Sequence, residues 1–275
     1  MTAPPMAYFG GKTRLAHRIA ELLPAHGHYV EPFAGSLAVL LAKEPSKMET
    51  VNDLDGLLMT FWRVLRDRPE ELMRACALTP HSRADYLEAR AADLDRLDDV
   101  EVARLVWLQI AQGRGGTMRQ SGWRMFVNPN GSSMPMGDYL EAYVNRMAAA
   151  AQRLHRVSLE CRPGLEVVEQ YGSDPGCCLY VDPPYLGGVR RATGNGYRIE
   201  MREPASHVEL LESLLRCRAS IVVSGYESEL YSEALVGWDR TEMAATSQGG
   251  TNVARTEVLW CNRPISQQLS LGDVS

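Results

Sequence analysis

The sequence predicts an α/β fold, an open parallel sheet whose strands alternate with helices, interrupted by a mostly helical insertion. Three observations predict it. Short apolar runs that end in a loop recur toward both ends of the chain, as buried parallel strands do. Helical periodicity lies between these runs, as crossover connections require. From residue 57 to 153 the strand signal gives way to amphipathic helical stretches, followed within the same span by a loop rich in Gly, Ser, Asn, Pro and Arg over 113–137.

Taken in order, the strand ends are Tyr29-Val30-Glu31, Glu49-Thr50-Val51, Cys178-Leu179-Tyr180-Val181 and Ile221-Val222-Val223-Ser224. A helical pattern follows the first over 37–41, and another, marked by Val208, Leu211, Leu214 and Leu215, precedes the last. Residues 241–245 and 257–261 read as an antiparallel hairpin at the sheet edge. The expected division is therefore a sheet domain from 1–56 and 156–265, an inserted domain over 57–155, and a tail over 266–275. No internal repeat is visible.

At 275 residues, 45% hydrophobic and 23% charged, the chain has the composition of a soluble globular protein. No apolar run reaches membrane-spanning length, and the start Met1-Thr2-Ala3-Pro4-Pro5 lacks the features of a signal peptide, so a cytoplasmic location is expected. The six cysteines form no C-x-x-C pair and do not alternate with His; they read as buried or neutral thiols, and no metal site is expected. The net charge of −5 conceals an uneven distribution. Residues 85–101 hold seven acids against two arginines, whereas 109–162 hold seven arginines against three acids and 186–202 four against one. A polyanion can therefore bind locally, away from the acidic stretch, which reads as a solvated helical face.

Three constellations carry chemistry. The first is Glu31-Pro32-Phe33-Ala34-Gly35-Ser36, where a strand enters a glycine turn and then a helix. Ligands of open α/β sheets bind beyond the strand ends, and glycine lets backbone approach them closely. Asp53 closes the next strand eighteen residues after Gly35, where an acid can accept ribose hydroxyls. The G-x-G-x-x-G pattern is absent, which favours an adenosine ligand without phosphates over a dinucleotide. Alone, the segment is equally well a plain strand-turn-helix junction.

The second, Phe9-Gly10-Gly11-Lys12-Thr13, looks like the tail of a phosphate-binding P-loop, but Met6 stands where that pattern needs glycine and no strand precedes it. Its lysine can instead approach a carboxylate. The third and strongest is Asp182-Pro183-Pro184-Tyr185, directly after an apolar strand. The prolines fix the chain and lack donors, so the Pro183 carbonyl can face the crevice. An amino nitrogen conjugated to a ring is a poor nucleophile. Two acceptors, the Asp182 carboxylate and the Pro183 carbonyl, can each take one N–H and turn its lone pair toward an electrophilic methyl. Tyr185 offers a face on which an extruded base can stack.

Together these motifs resemble the Dam-type, α-group DNA adenine-N6 methyltransferases. Tyr8-Phe9-Gly10-Gly11-Lys12 is similar to the family's W-A-G-G-K, the Glu31 to Ser36 turn to its E-P-F-x-G-x-G, and Asn52-Asp53 to its D-I-N strand end. Residues 221–226 are similar to its S-N-[HY] strand, and Arg255-Thr256-Glu257-Val258-Leu259-Trp260 to its closing hairpin. Gly115-Gly116-Thr117-Met118-Arg119 and Phe126-Val127-Asn128-Pro129-Asn130-Gly131 resemble N-G-L-x-R and F-N-V-P-x-G at the same spacing. The likeness runs from residue 7 to 262. It implies a Rossmann-like sheet that binds S-adenosylmethionine (SAM), with the insertion as target-recognition domain. The implied cofactor residues are Tyr8, Gly11, Lys12, Glu31, Pro32, Phe33, Ala34, Gly35, Ser36, Asn52, Asp53, Leu165 and Asp182. Asp53 takes the ribose, and catalysis falls to Asp182, Pro183, Pro184 and Tyr185. Here Ala38 stands two residues after Ser36, so the family's second turn glycine is missing or shifted.

The resemblance makes double-stranded DNA the substrate and Arg119 the arginine that touches it; Arg114, Arg124 and Asn128 of the same loop are expected beside it, and Arg190, Arg191 and Arg198, after Tyr185, are expected to hold the flipped strand or to belong to a mobile lid. Alone, the arginine-rich loop is equally a solvated surface loop. Gly115 and Thr117 depart from the family pattern and leave the recognised site open, as are a cognate restriction endonuclease and the oligomeric state, for which a monomer is favoured. His207 reads as a helix cap or surface residue, and Trp107 and Trp123 as core or loop anchors. Two other readings compete: methylation of a different amino group, cytosine N4 or a protein amide, and a DNA-binding relative that has lost activity. Asp182, where those other amino methylases commonly carry Ser or Asn, favours adenine.

Overall fold

The computed structural model describes residues 2–119, 121–125, 134–186, 198–199, 201, 203–246 and 254–265. Their chain forms a seven-stranded sheet of β1 (His28–Glu31), β2 (Met48–Asn52), β3 (Ser158–Glu160), β4 (Cys177–Val181), β5 (Ser220–Gly225), β6 (Asp239–Thr246) and β7 (Ala254–Cys261), in the order β3-β2-β1-β4-β5-β7-β6. The first five strands run parallel, and β7 pairs antiparallel with both β5 and β6. The four expected strand regions and the hairpin lie where the apolar runs placed them. Strand β3 carries only Ser-Leu-Glu, with no apolar run to betray it. The hairpin closes one edge of the sheet as expected, with β7 on β5 and β6 outermost.

Period-two alternation divides the strand side chains between two layers. Leu179, Val181, Ile221 and Val223 face one cluster with Val167, Leu210 and Leu214, whereas Tyr180 and Val222 face the other. On the first side lie α8 (Gly164–Gly172), α9 (Pro204–Arg216) and α10 (Glu229–Ala234); on the second lie α1 (Ala16–Glu21) and α2 (Ala38–Ala42). Between β2 and β3 the chain runs through α3 (Gly56–Asp67), α4 (Pro69–Ala77), α5 (Arg83–Ala91), α6 (Asp99–Gln112) and α7 (Met136–Leu154). Three of these start on side-chain caps: Asp55 accepts from the amides of Leu57 and Leu58, Ser82 from Asp85, and Asp98 from Val100 and Glu101.

These helices do not build a core of their own. Phe61, Trp62, Val106 and Trp107 belong to one buried cluster with Leu37, Leu40 and Val51 of the sheet layer. Polar ties follow the same seam. The Trp62 indole donates to the Gly35 carbonyl at 3.0 Å and that of Trp107 to Pro5 at 3.0 Å.

Candidate active site

Glu31 ends β1, Asp53 follows β2, Asp182 follows β4 and Tyr226 follows β5, so the carboxyl ends of neighbouring strands converge on one crevice. The sheet order reverses between β1 and β4, the switch point at which open α/β sheets bind ligands. A cavity of about 310 Å³ opens there. Of the residues expected to hold a cofactor, Tyr8, Gly11, Lys12, Glu31, Phe33, Ala34, Gly35, Ser36, Asp53, Leu165 and Asp182 line it, together with Pro184. Two others stand behind the wall. Asn52 is fully buried, and its amide donates to the carbonyls of Pro32 and Arg162 at 2.9 Å while its Oδ1 accepts from the Arg162 amide. Asn52 and the Pro32 carbonyl thus tie β1 to the segment after β3 instead of facing the cavity.

Glycine serves the turn in two places. Gly35 adopts φ 48°, and its amide donates to Asp53 Oδ2 at 3.0 Å, locking the turn to the second strand. At Gly11 a Cβ would stand 2.9 Å from Ser36 Oγ, so only glycine lets the amino-terminal segment close on the turn.

Among the described residues, Glu31 and Asp53 have no cation at hydrogen-bonding distance. Burial pushes Glu31 up to about 8, although the Tyr29 hydroxyl and the Leu40 amide both donate to its Oε1 at 2.8 Å. Burial likewise raises Asp53 to about 6, against the amides of Asp55 and Gly35 that stabilise its charge.

Lys12 occupies the other side. Its Nζ donates to both oxygens of Asp182, at 2.7 and 2.8 Å, to the Tyr185 hydroxyl at 2.9 Å and to the Gly10 carbonyl at 3.2 Å. Glu257 of β7, 2% exposed, brings its Oε1 within 3.3 Å of the same ammonium. Burial works against the charge on Lys12, but Asp182, Tyr185 and Glu257 outweigh it and hold its pKa well above the ordinary value. Burial raises Glu257 above the usual carboxylate range, with Lys12 opposing. The sequence reading offered Lys12 a carboxylate partner such as the methionine end of SAM; here its ammonium bonds Asp182, 170 residues away in the Asp-Pro-Pro-Tyr motif, with Glu257 beside it. Tyr185 stacks on Tyr226 at 4.5 Å and 15°, and Pro183, Pro184 and Tyr185 line a smaller recess beside the main cavity.

The arginine loop leaves α6 through an antiparallel bridge between Gly113 and Trp123. The Trp123 ring stacks on His81, and its indole donates to Gln112, so it anchors the loop. Gly116 accepts from the Phe9 amide at 2.9 Å, docking the loop on the segment that carries Lys12. Arg114 is exposed, Arg119 donates to the Arg198 carbonyl at 3.2 Å, and Arg124 lies over the Tyr139 ring. Arg198, expected among the strand-holding arginines, has its guanidinium on Asp55, at 2.6 and 2.8 Å, on the rim of the cavity. Asn128, Arg190 and Arg191 lie outside the described residues. His207 is neither cap nor surface: it is 1% exposed, between Tyr231 and the Met201 carbonyl.

Sequence reasoning assigned no role to Glu257 or Asp55. A single acid beginning the apolar run Val258-Leu259-Trp260 was the available signal for the first; the second is adjacent to Asp53 and opens a helix.

Comparison with known proteins agrees with this geometry. The family model for D12 class N6 adenine-specific DNA methyltransferase matches residues 8–247. Among curated relatives, the type II methyltransferase M1.LlaDCHI of Lactococcus lactis subsp. cremoris is 27% identical over 90% of this chain and 89% of its own length. The DNA adenine methylase of Vibrio cholerae is 23% identical over 81% of each chain, and that of Escherichia coli K12 22% identical over 94% of this chain and 95% of its own.

Proposed function

The chain belongs to the D12 class N6 adenine-specific DNA methyltransferases, and from that premise we propose that it methylates an adenine turned out of the duplex by direct transfer, with Asp182 and Pro183 as acceptors for the N6 amino group. The observation that carries this reading is the convergence of Asp182, Tyr185 and a cavity lined by Glu31, Gly35 and Asp53 at one switch point of the sheet.

The residues present fit SAM. Gly35 and Tyr8 both line the cavity, and the turn passes under the Tyr8 ring, where a Cβ would stand 3.2 Å from that ring; Asp53 reaches the same cavity with a carboxylate suited to ribose hydroxyls. Glu31, Asp53 and the backbone of the Phe33 to Ser36 turn would hold it, with Leu165 against the adenine. When bound, this donor supplies a methyl group on a positively charged sulfur.

The chain's own residues do the rest. Asp182 takes one N–H of the adenine amino group and the Pro183 carbonyl the other, which concentrates the nitrogen lone pair toward the methyl. Tyr185 presents its ring to the extruded base. On gaining the methyl, N6 would shed one proton, which the Asp182 carboxylate would receive. DNA approaches over the arginine loop, where Arg114, Arg119 and Arg124 supply positive charge.

The test replaces Asp182 with Ala and follows transfer of labelled methyl to DNA by analysis of the modified base. Transfer falls by at least about 1,000-fold while the fold is preserved. Substantial residual N6 methylation would remove Asp182 from the mechanism.

A further inference from the structure

Glu257 is a buried carboxylate that the proposed mechanism does not use. Among the described residues its Oε1 makes no hydrogen bond, although Lys12 Nζ lies only 3.3 Å away. Its Oε2 accepts from the Tyr185 hydroxyl at 3.5 Å, a long contact. A buried acceptor left without a donor costs free energy, and in a native protein it calls for an explanation.

The explanation lies in what Lys12 is doing. An ammonium has three N–H groups, and those of Lys12 already serve both Asp182 oxygens, Tyr185 and Gly10. With Lys12 against both of its oxygens, Asp182 is not yet arranged to receive an amino group. An arriving N6–H needs one of those oxygens, and Lys12 must then turn one N–H elsewhere. The acceptor within reach that lacks a hydrogen bond is Glu257 Oε1.

We propose that Glu257 is a positioning residue for methyl transfer, taking over an N–H of Lys12 when the adenine amino group claims an oxygen of Asp182. This rests on the reading of Asp182 given above. The exchange keeps the N–H groups of Lys12 bonded when the base arrives and gives Glu257 Oε1 the donor it lacks beforehand. It also makes Glu257 matter only when the base carries an amino group at position 6.

That last property supplies the test. After the methylated site has been read by sequencing, Glu257→Gln is compared with the unaltered protein on two DNA duplexes, one with the target adenine and one with 2-aminopurine in its place. 2-Aminopurine has no amino group at position 6 and fluoresces when extruded. The expected result is a single-turnover methylation rate lowered about tenfold, as for exchange of a charge-assisted hydrogen bond for a neutral one, with SAM affinity and the 2-aminopurine signal unchanged. A wild-type methylation rate overturns the proposal. So does a matching loss of rate and of 2-aminopurine signal, which would make Glu257 a structural support for Tyr185. The Asp182→Ala protein, run in parallel, separates the two ideas: full methylation there defeats the reading of Asp182 itself, whereas inactivity there beside a normal Glu257→Gln rate defeats only the exchange.

Discussion

The two halves of the crevice use carboxylates in opposite ways. On the side of β1 and β2, Glu31 and Asp53 are buried among amides and hydroxyls, and burial raises them to about 8 and about 6. On the side of β4 and β7, Asp182 and Glu257 share one ammonium, Lys12, which is itself held protonated. The first half is suited to exchanging a proton when a ligand arrives, and the second to keeping fixed charge beside a reacting amine. The same residue type thus acquires two functions from whether a cation stands beside it.

The largest way to break this contrast is to remove the cation. Lys12→Met is expected to slow methyl transfer by about 100-fold or more, because loss of one partner from a buried charged cluster costs about 3–5 kcal/mol. The acid limb of its rate-versus-pH profile moves upward as well, since Glu257 loses the charge that opposes its protonation. A profile that keeps its position would show that Lys12 acts only as packing.

The cofactor half is sharpened by pH. On the proposed reading Asp53 accepts ribose hydroxyls, most strongly when ionised, and its raised value means that it gains a proton as pH falls through about 6. SAM binding should therefore weaken about tenfold between pH 7 and pH 5, and calorimetry with Asp53→Asn should show a much flatter dependence. An equal slope in the variant would transfer the effect to another group. The smallest effect probes neither half. Arg119→Ala should weaken DNA binding by roughly tenfold and reduce its salt dependence by about one phosphate contact, with SAM affinity unchanged. Undiminished DNA affinity would return the loop to the status of solvated surface.

What could be read from the sequence was what chemistry compresses into a short span. Asp182 to Tyr185 must be contiguous because the strand end aims them together, and Glu31 to Ser36 must be contiguous because the turn is one backbone unit. Strands β1, β4 and β5 were visible because they are buried over nearly their whole length. What could not be read was pairing across the chain. Nothing near Lys12 announces Asp182, and nothing near Arg198 announces Asp55; each contact exists only because distant segments meet at the crevice. Asn52 misled in another way, since an amide at a strand end serves equally to bind a ligand or to tie two loops, and here it ties them. His207, placed on an amphipathic helix, looked like a surface residue because its partner Tyr231 lies on a different helix.

The indole of Trp62 reaches from the first helix of the insertion to the carbonyl of Gly35 in the cofactor turn. That single bond sets the boundary for any attempt to exchange specificities between relatives. A graft that cuts at residues 57 and 155 would carry Trp62, Trp107 and their shared core away from the turn they support. An exchange confined to the stretch between α6 and α7 would leave both indoles and their shared core in place.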